Sequence, residues 1–190
     1  MVQKYDNEQS ARAVRGIWSQ SDALRMGMGW TEEDLEKPYV LIEDVFGESH
    51  PGSIHLDQLA KEVAYGVLES GGRPSNFHVT DLCDGIAQGH DGMNYILLSR
   101  QLIADMVEVH ASVHPWDGLV LISSCDKAVP AHLIAAGRLG LPTIVVPGGT
   151  MRPGPFMSDS GRAGEISLKY KQHEIGDFEV MQYKKTGCPS

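Results

Sequence analysis

Leu119-Val120-Leu121-Ile122-Ser123-Ser124-Cys125-Asp126-Lys127-Ala128-Val129-Pro130 is the stretch whose reading decides the fold. Four consecutive apolar, mostly branched residues read as a strand buried on both faces. The chain then turns through Ser123 and Ser124 and enters a helix. Pro130 falls in its first turn, where a missing N–H costs little. Cys125, Asp126 and Lys127 therefore sit where a strand hands over to a helix N-terminus. In open α/β sheets that edge binds ligands. The helix dipole there favours anions, so a thiolate and a carboxylate are both expected to be stabilised. A soft sulfur, a hard oxygen and an amine in succession point to metal chemistry. The plain alternative is a buried thiol beside a helix cap, with Asp126 and Lys127 solvated.

Strands and helices alternate on either side. Pro38-Tyr39-Val40-Leu41-Ile42 begins a strand. Leu56, Leu59, Ala60, Val63, Val67 and Leu68 are spaced as one helical face, stopped by Gly71-Gly72 and Pro74. Asn76 to Leu82 reads as a second strand. Ser99 is expected to cap a long helix with Leu102, Ile103, Met106, Val107 and Val113 on its apolar face. A further helix carries Leu133, Ile134 and Leu139, and Pro142 to Val146 is a last strand. Strands separated by helices of this length predict β-α-β units and a mainly parallel sheet flanked by helices, a three-layer α/β domain. Polar loops near 46–53, 83–93, 123–127 and 147–152 then share one edge of the sheet.

The flanks are less regular. Residues 1–35 read as an N-terminal helical arm, with a helix near Ala11 to Leu24 and an N-cap at Thr31 followed by acids. Residues 36–190 read as the α/β domain. Glu32, Glu33, Asp34 and Glu36 are expected to be a solvated face. After Pro153 the pattern weakens to a loop and short helices at Glu165 to Lys171 and Asp177 to Tyr183.

Composition narrows the classes. A net charge of −9 argues against a nucleic-acid or anionic-membrane surface. No apolar run has the length of a membrane span, and the first twenty residues are too polar for a signal peptide. Three cysteines, Cys83, Cys125 and Cys188, in a chain of 190 residues fit a reducing, cytoplasmic setting with free or metal-binding thiols.

The second polar stretch is Cys83-Asp84-Gly85-Ile86-Ala87-Gln88-Gly89-His90-Asp91-Gly92-Met93. Three glycines within eight residues imply a tight loop with close backbone approach. Their spacing fits neither a dinucleotide fingerprint nor a P-loop. His90 among these glycines is placed to contact a substrate. His50 and His55 flank another loop on the same edge, and His55 is expected to cap or pack its helix. Arg100 is expected to make a structural salt bridge. Gly148 and Gly149, with Thr150, either let backbone amides approach a substrate or only make a turn. His114, His132 and His173 have no evident partners.

From Trp30 to Ser190 the chain resembles the amino-terminal portion of the dihydroxy-acid and phosphogluconate dehydratase family, which includes sugar-acid dehydratases. The resemblance rests on Pro51-Gly52-Ser53-Ile54-His55-Leu56, the stretch from Cys83 to Met93, Leu98-Ser99-Arg100, Ser124-Cys125-Asp126-Lys127 with Pro130, and Gly148-Gly149-Thr150-Met151. It implies removal of water from a 2,3-dihydroxy acid to give a 2-keto acid, with an iron–sulfur cluster and magnesium. By that resemblance Cys125 is a cluster ligand, and Asp84 and Asp126 bind magnesium. Lys127 is the lysine that becomes a carbamate, so an ammonium turns into an oxygen ligand. Donor chemistry agrees: thiolate suits iron, and carboxylate and carbamate oxygens suit magnesium.

Some family members have a cysteine where this chain has Gly52 and hold a two-iron cluster. Its absence here implies a four-iron, four-sulfur cluster. Cys83 either substitutes as a ligand or is a buried apolar thiol. Cys188-Pro189-Ser190 matches the start of a Cys-Pro-x-Cys-Gly-x-Cys stretch, and the family's carboxyl-terminal barrel, with its serine base, lies beyond it. The chain is therefore expected to be an incomplete, inactive portion of an enzyme that is a homodimer or larger when full length. The expected substrate is a branched-chain amino-acid precursor of the 2,3-dihydroxy-3-methylbutanoate type, with an aldonate-type sugar acid as runner-up. Two other classes stay open: a cluster-free binding module for magnesium and an anion, and a subunit that pairs with a separate barrel.

Overall fold

The structure is a computed structural model that describes residues 19–150 and 162–186. Within them a first unit ends at Gly149 and a second begins at Thr150.

The first unit carries α1 (Ser19–Gly27), α2 (Glu32–Glu36), β1 (Tyr39–Asp44), α3 (Leu56–Glu69), β2 (Arg73–His78), α4 (Asp84–Ala87), α5 (Met93–Val113), β3 (Gly118–Ser123), α6 (Ala128–Leu139) and β4 (Thr143–Pro147). The four strands form one sheet in the order β2-β1-β3-β4. Every pairing is parallel, with Ile42 opposite Asn76 and Val120, and Val120 opposite Ile144. The central strands are the apolar ones because both of their faces are covered. Leu41, Ile42, Leu121 and Ile122 are fully buried. Each such side chain contributes about 1.5–3 kcal/mol on burial.

α3 lies on β1 and β2, α6 on β3 and β4, and α5 against α6. α6 stops at Gly140, whose φ of 64° is a left-handed conformation that suits glycine. Along α5 the outer face stays apolar: Tyr95, Leu98, Leu102, Met106, Val109 and Val113 are all exposed.

Several details differ from the sequence reading. β2 ends at His78 rather than near Leu82, because β1 ends at Asp44 and offers no further partner. Val79 N–H then closes the ladder onto Asp44 O at 3.0 Å. α5 starts at Met93, six residues before the expected cap. Ser99 is a buried interior residue whose hydroxyl donates back to Ile96 O. Asp34 is not a solvated acid: it is buried and completes a capping box with Thr31. Lys37 and the Thr31 N–H hold its carboxyl down at about 2. Arg100 makes no salt bridge among the described residues, and its Nε is buried without a hydrogen-bond partner there. Only Ser19 to Leu24 of the first expected helix falls within the described residues.

The second unit holds α7 (Arg162–Lys171) and α8 (Asp177–Thr186), which pack on each other. They match the short helices expected there. Cys188 and Met151 lie outside the described residues.

Candidate metal centre

The carboxyl ends of the four parallel strands carry the expected loops. β3 ends at Ser123, and α6 begins after Lys127. Gly148 N–H donates to Ser123 O at 2.8 Å, which prolongs the β3–β4 ladder past the strand ends. His55 does not cap its helix with its side chain. Its Nε2 lies 2.8 Å from Gly148 O and ties the first loop to the last.

Lys127, Asp84 and Asp126 come together here. Lys127 Nζ is 3.3 Å from Asp84 Oδ2 and in direct contact with Asp126 Oδ2. Asp126 raises the Lys127 pKa, with Asp84 adding to the effect. In return Lys127 holds the Asp126 carboxyl below its usual value. The ammonium marks a point between two carboxylates that favours positive charge.

Cys125 is half-buried and free, as is Cys83. Burial pushes the Cys125 thiol up, against the expectation of a dipole-stabilised thiolate. The Asp126 N–H and the Ser124 hydroxyl pull it down by less than burial raises it. Charges on Asp81 and Cys83 work against the thiolate as well.

Beneath this turn lies a network that the sequence reading missed. The side chains of His50 and Asp81 are each only 1% exposed, with His50 Nε2 3.1 Å from Asp81 Oδ2. The Ser124 hydroxyl donates to the same oxygen, and Asp81 Oδ1 accepts from Leu82 N–H at 2.8 Å. A nitrogen of His50, an oxygen of Asp81 and Cys125 Sγ lie within 4.8 Å of one another. One position deeper, Ser123 Oγ is 2.7 Å from His132 Nδ1. Asp81 fell inside the expected strand Asn76 to Leu82 and was not singled out as a site residue. Glu43, which pairs with His132, left a readable signal: it and Asp44 are adjacent acids closing an otherwise apolar strand, and a buried charge needs a partner.

Other expected residues sit apart from these contacts. His90 is exposed, and its ring closes its own loop, with Nε2 3.2 Å from Ile86 O and Nδ1 accepting from Gly92 N–H at 3.0 Å. Thr150 is exposed. Space requires glycine at 149 but not at 148. A Cβ on Gly149 would collide with the Ser124 backbone, and one on Gly148 would lie 2.6 Å from Leu59 Cδ1.

A parallel sheet with thiol, carboxylate, imidazole and amine groups gathered at the carboxyl ends of its strands defines a ligand-binding α/β domain with metal-binding donors. Comparison with known proteins narrows the class. Residues 37–190 match the family model described as dihydroxy-acid/6-phosphogluconate dehydratase N-terminal. A dihydroxy-acid dehydratase of Methanococcus maripaludis strain C7 is 44% identical over 179 residues, covering 91% of this chain and 32% of the relative. One from Methanothrix thermoacetophila is 51% identical over 167 residues, covering 88% and 30%. One from Halothermothrix orenii is 43% identical over 170 residues, covering 88% and 31%. The chain belongs to the dihydroxy-acid/6-phosphogluconate dehydratase family, matching its N-terminal region. It spans about a third of the length of the curated relatives it matches.

Proposed function

We propose that this chain is the metal-binding portion of a hydro-lyase that converts a 2,3-dihydroxy acid to a 2-keto acid. The observation that carries the reading is the convergence of Asp84, Asp126 and Lys127 in a loop edge that also presents Cys125. The relatives named dihydroxy-acid dehydratase support it and favour a branched-chain precursor such as 2,3-dihydroxy-3-methylbutanoate as substrate.

The donor set fits two kinds of metal. Asp84 and Asp126 offer hard oxygens for magnesium. The Lys127 amine, by adding carbon dioxide and losing a proton, becomes a carbamate that offers another. Cys125 offers a soft thiolate to an iron–sulfur cluster, of the four-iron type by the lack of a cysteine at Gly52, with Cys83 as a further candidate ligand. When bound, these groups supply Lewis acidity toward the leaving C3 hydroxyl and toward the carboxylate and C2 hydroxyl of the substrate.

The chain's own contribution is placement. The β3–α6 turn fixes Cys125, Asp126 and Lys127 in sequence. Gly149 lets backbone approach the same edge where a side chain would run into the Ser124 backbone. His90, on its glycine loop, is available to a substrate. The match covers 32% and 30% of two of these relatives, and in this reading the base and the remaining cluster cysteine come from the part of the enzyme outside the match. The working enzyme is a cytoplasmic homodimer in this reading.

The test uses the enzyme that contains this chain, reconstituted without oxygen with iron, sulfide and magnesium. Formation of 2-keto acid from 2,3-dihydroxy-3-methylbutanoate is the expected result. No product from any 2,3-dihydroxy acid, with iron loaded, would overturn the reading.

A further inference from the structure

His50 and Asp81 have no place in the chemistry above, yet both are buried at the edge where it happens. They come from loops after two different strands, β1 and β2, and meet the turn after β3. The buried imidazole and carboxylate satisfy each other and the backbone through hydrogen bonds, which fixes their donor atoms beside Cys125. The ring is held in place by shape. A Cβ on Gly52 would come within 3.3 Å of both Cε1 and Nδ1 of His50, so the imidazole fills the space next to that glycine. Cys125 closes the third side and is only half-buried, which leaves a way in from solvent.

We propose that His50, through Nε2, and Asp81, through a carboxylate oxygen, are ligands of a divalent transition metal that Cys125 Sγ also binds when no cluster occupies that thiolate. The inference rests on the reading of Cys125 as a metal ligand and adds two residues to it. Imidazole, carboxylate and thiolate together suit iron(II), cobalt(II) or zinc rather than magnesium. The centre is thus chemically separate from the all-oxygen group of Asp84, Asp126 and the Lys127 carbamate. The three donor atoms lie within 4.8 Å of one another. Ligand bonds of about 2.0–2.3 Å require them to draw in by up to about 1 Å.

The hydrogen bonds define what metal entry must change. Gly52 N–H donates to His50 Nδ1 at 3.2 Å, so the ring proton sits on Nε2 and is shared with Asp81 Oδ2. Binding moves that proton from Nε2 to Nδ1. The lone pair on Nε2 then faces the metal, and the long Gly52 bond is given up. The Ser124 hydroxyl keeps its donation to Asp81, orienting the carboxylate as a supporting contact.

The test is an anaerobic cobalt(II) titration of the 190-residue chain, read by thiolate-to-cobalt charge-transfer absorption. The wild type should show the band, and Cys125→Ser should lose it. His50→Gln, which can still donate to Asp81, and Asp81→Asn should each weaken cobalt binding roughly tenfold or more. His50→Cys should restore binding and intensify the band by adding a second thiolate, a gain that a purely structural residue could not produce. Asp105→Asn, at a surface carboxylate paired with Arg138, should leave the band in place. Circular dichroism confirms that each variant is folded.

An unchanged band and affinity in folded His50→Gln, with loss in Cys125→Ser, overturns the inference and leaves the dehydratase reading standing. A band that survives Cys125→Ser overturns both the inference and the assignment of Cys125. No band in the wild type at saturating cobalt overturns the inference, while iron and sulfide reconstitution of the enzyme tests the dehydratase reading separately.

Discussion

His132 Nε2 lies 2.6 Å from Glu43 Oε2, with both side chains fully buried, joining α6 to β1 directly below the turn that carries Cys125. Burial drives the Glu43 pKa up, and the nearby His132 offsets only part of this. Glu43 Oε1 has no hydrogen-bond partner among the described residues.

Removing one partner should therefore be expensive. His132→Leu is expected to cost about 3–5 kcal/mol, because Glu43 is left buried without its hydrogen-bonding partner. The pH dependence has a definite sign. A carboxyl raised above its ordinary value of 4.5 binds its proton more tightly in the folded chain than in the unfolded one. Its favourable contribution is present below that value and is lost as pH rises through the raised one. Urea unfolding at about pH 5 and about pH 8 should show a steeper loss in His132→Leu than in the wild type. The double variant with Glu43→Leu should recover much of the stability. No recovery would mean that His132 acts through packing or Ser123 instead.

Lys127 sets up an opposing pair of effects. Carbamate formation needs the neutral amine, yet contact with Asp126 keeps the amine protonated. Carbamylation of the metal-free chain in bicarbonate should rise with pH through the alkaline range. Asp126→Asn lowers the Lys127 pKa, so it should increase carbamylation near neutral pH even as it lowers magnesium affinity. Intact mass measured with and without bicarbonate reads the first effect, and magnesium titration calorimetry the second. Equal carbamylation in both proteins would remove Asp126 as the controlling group.

Cys125 should behave as a protected thiol until metal arrives. Its raised pKa predicts slow alkylation near neutral pH compared with a small unhindered thiol. In the iron-loaded enzyme Cys125→Ser should lose iron and visible absorbance while keeping its fold. Retained iron in that variant would take Cys125 out of the centre.

The two adjacent glycines after β4 should differ. Gly148→Ala meets the ends of Leu59 and Leu56, which can move aside. Gly149→Ala meets the Ser124 backbone, which cannot move without shifting the β3–α6 turn. A cost of about 1–3 kcal/mol is expected for Gly149→Ala and less for Gly148→Ala. Thermal unfolding of the two variants, side by side, decides it.

The fold could be read because its signals are local. The run 119–122 is apolar throughout, since β3 lies between β1 and β4 with helices covering the sheet. The helix 56–69 repeats its apolar residues at the helical period. Where the reading slipped, the deciding partner was distant. β2 stops at His78 because β1 stops at Asp44, and nothing within 76–82 says so. Ser99 looked like a cap because its polarity was visible while its burial against α5's neighbours was not. The Asp84, Asp126 and Lys127 group was legible through motif resemblance. The His50–Asp81 and Glu43–His132 pairs were not, since each joins residues more than thirty positions apart that belong to no shared motif.

A Cβ on residue 52 would press on the His50 ring at 3.3 Å, a contact relieved by a shift of about a few tenths of an ångström. The two positions are therefore coupled. A side chain added at residue 52 moves the ring, and loss of the histidine leaves Asp81 to Ser124 and Leu82 alone. A substitution at either position thus changes what the other tolerates.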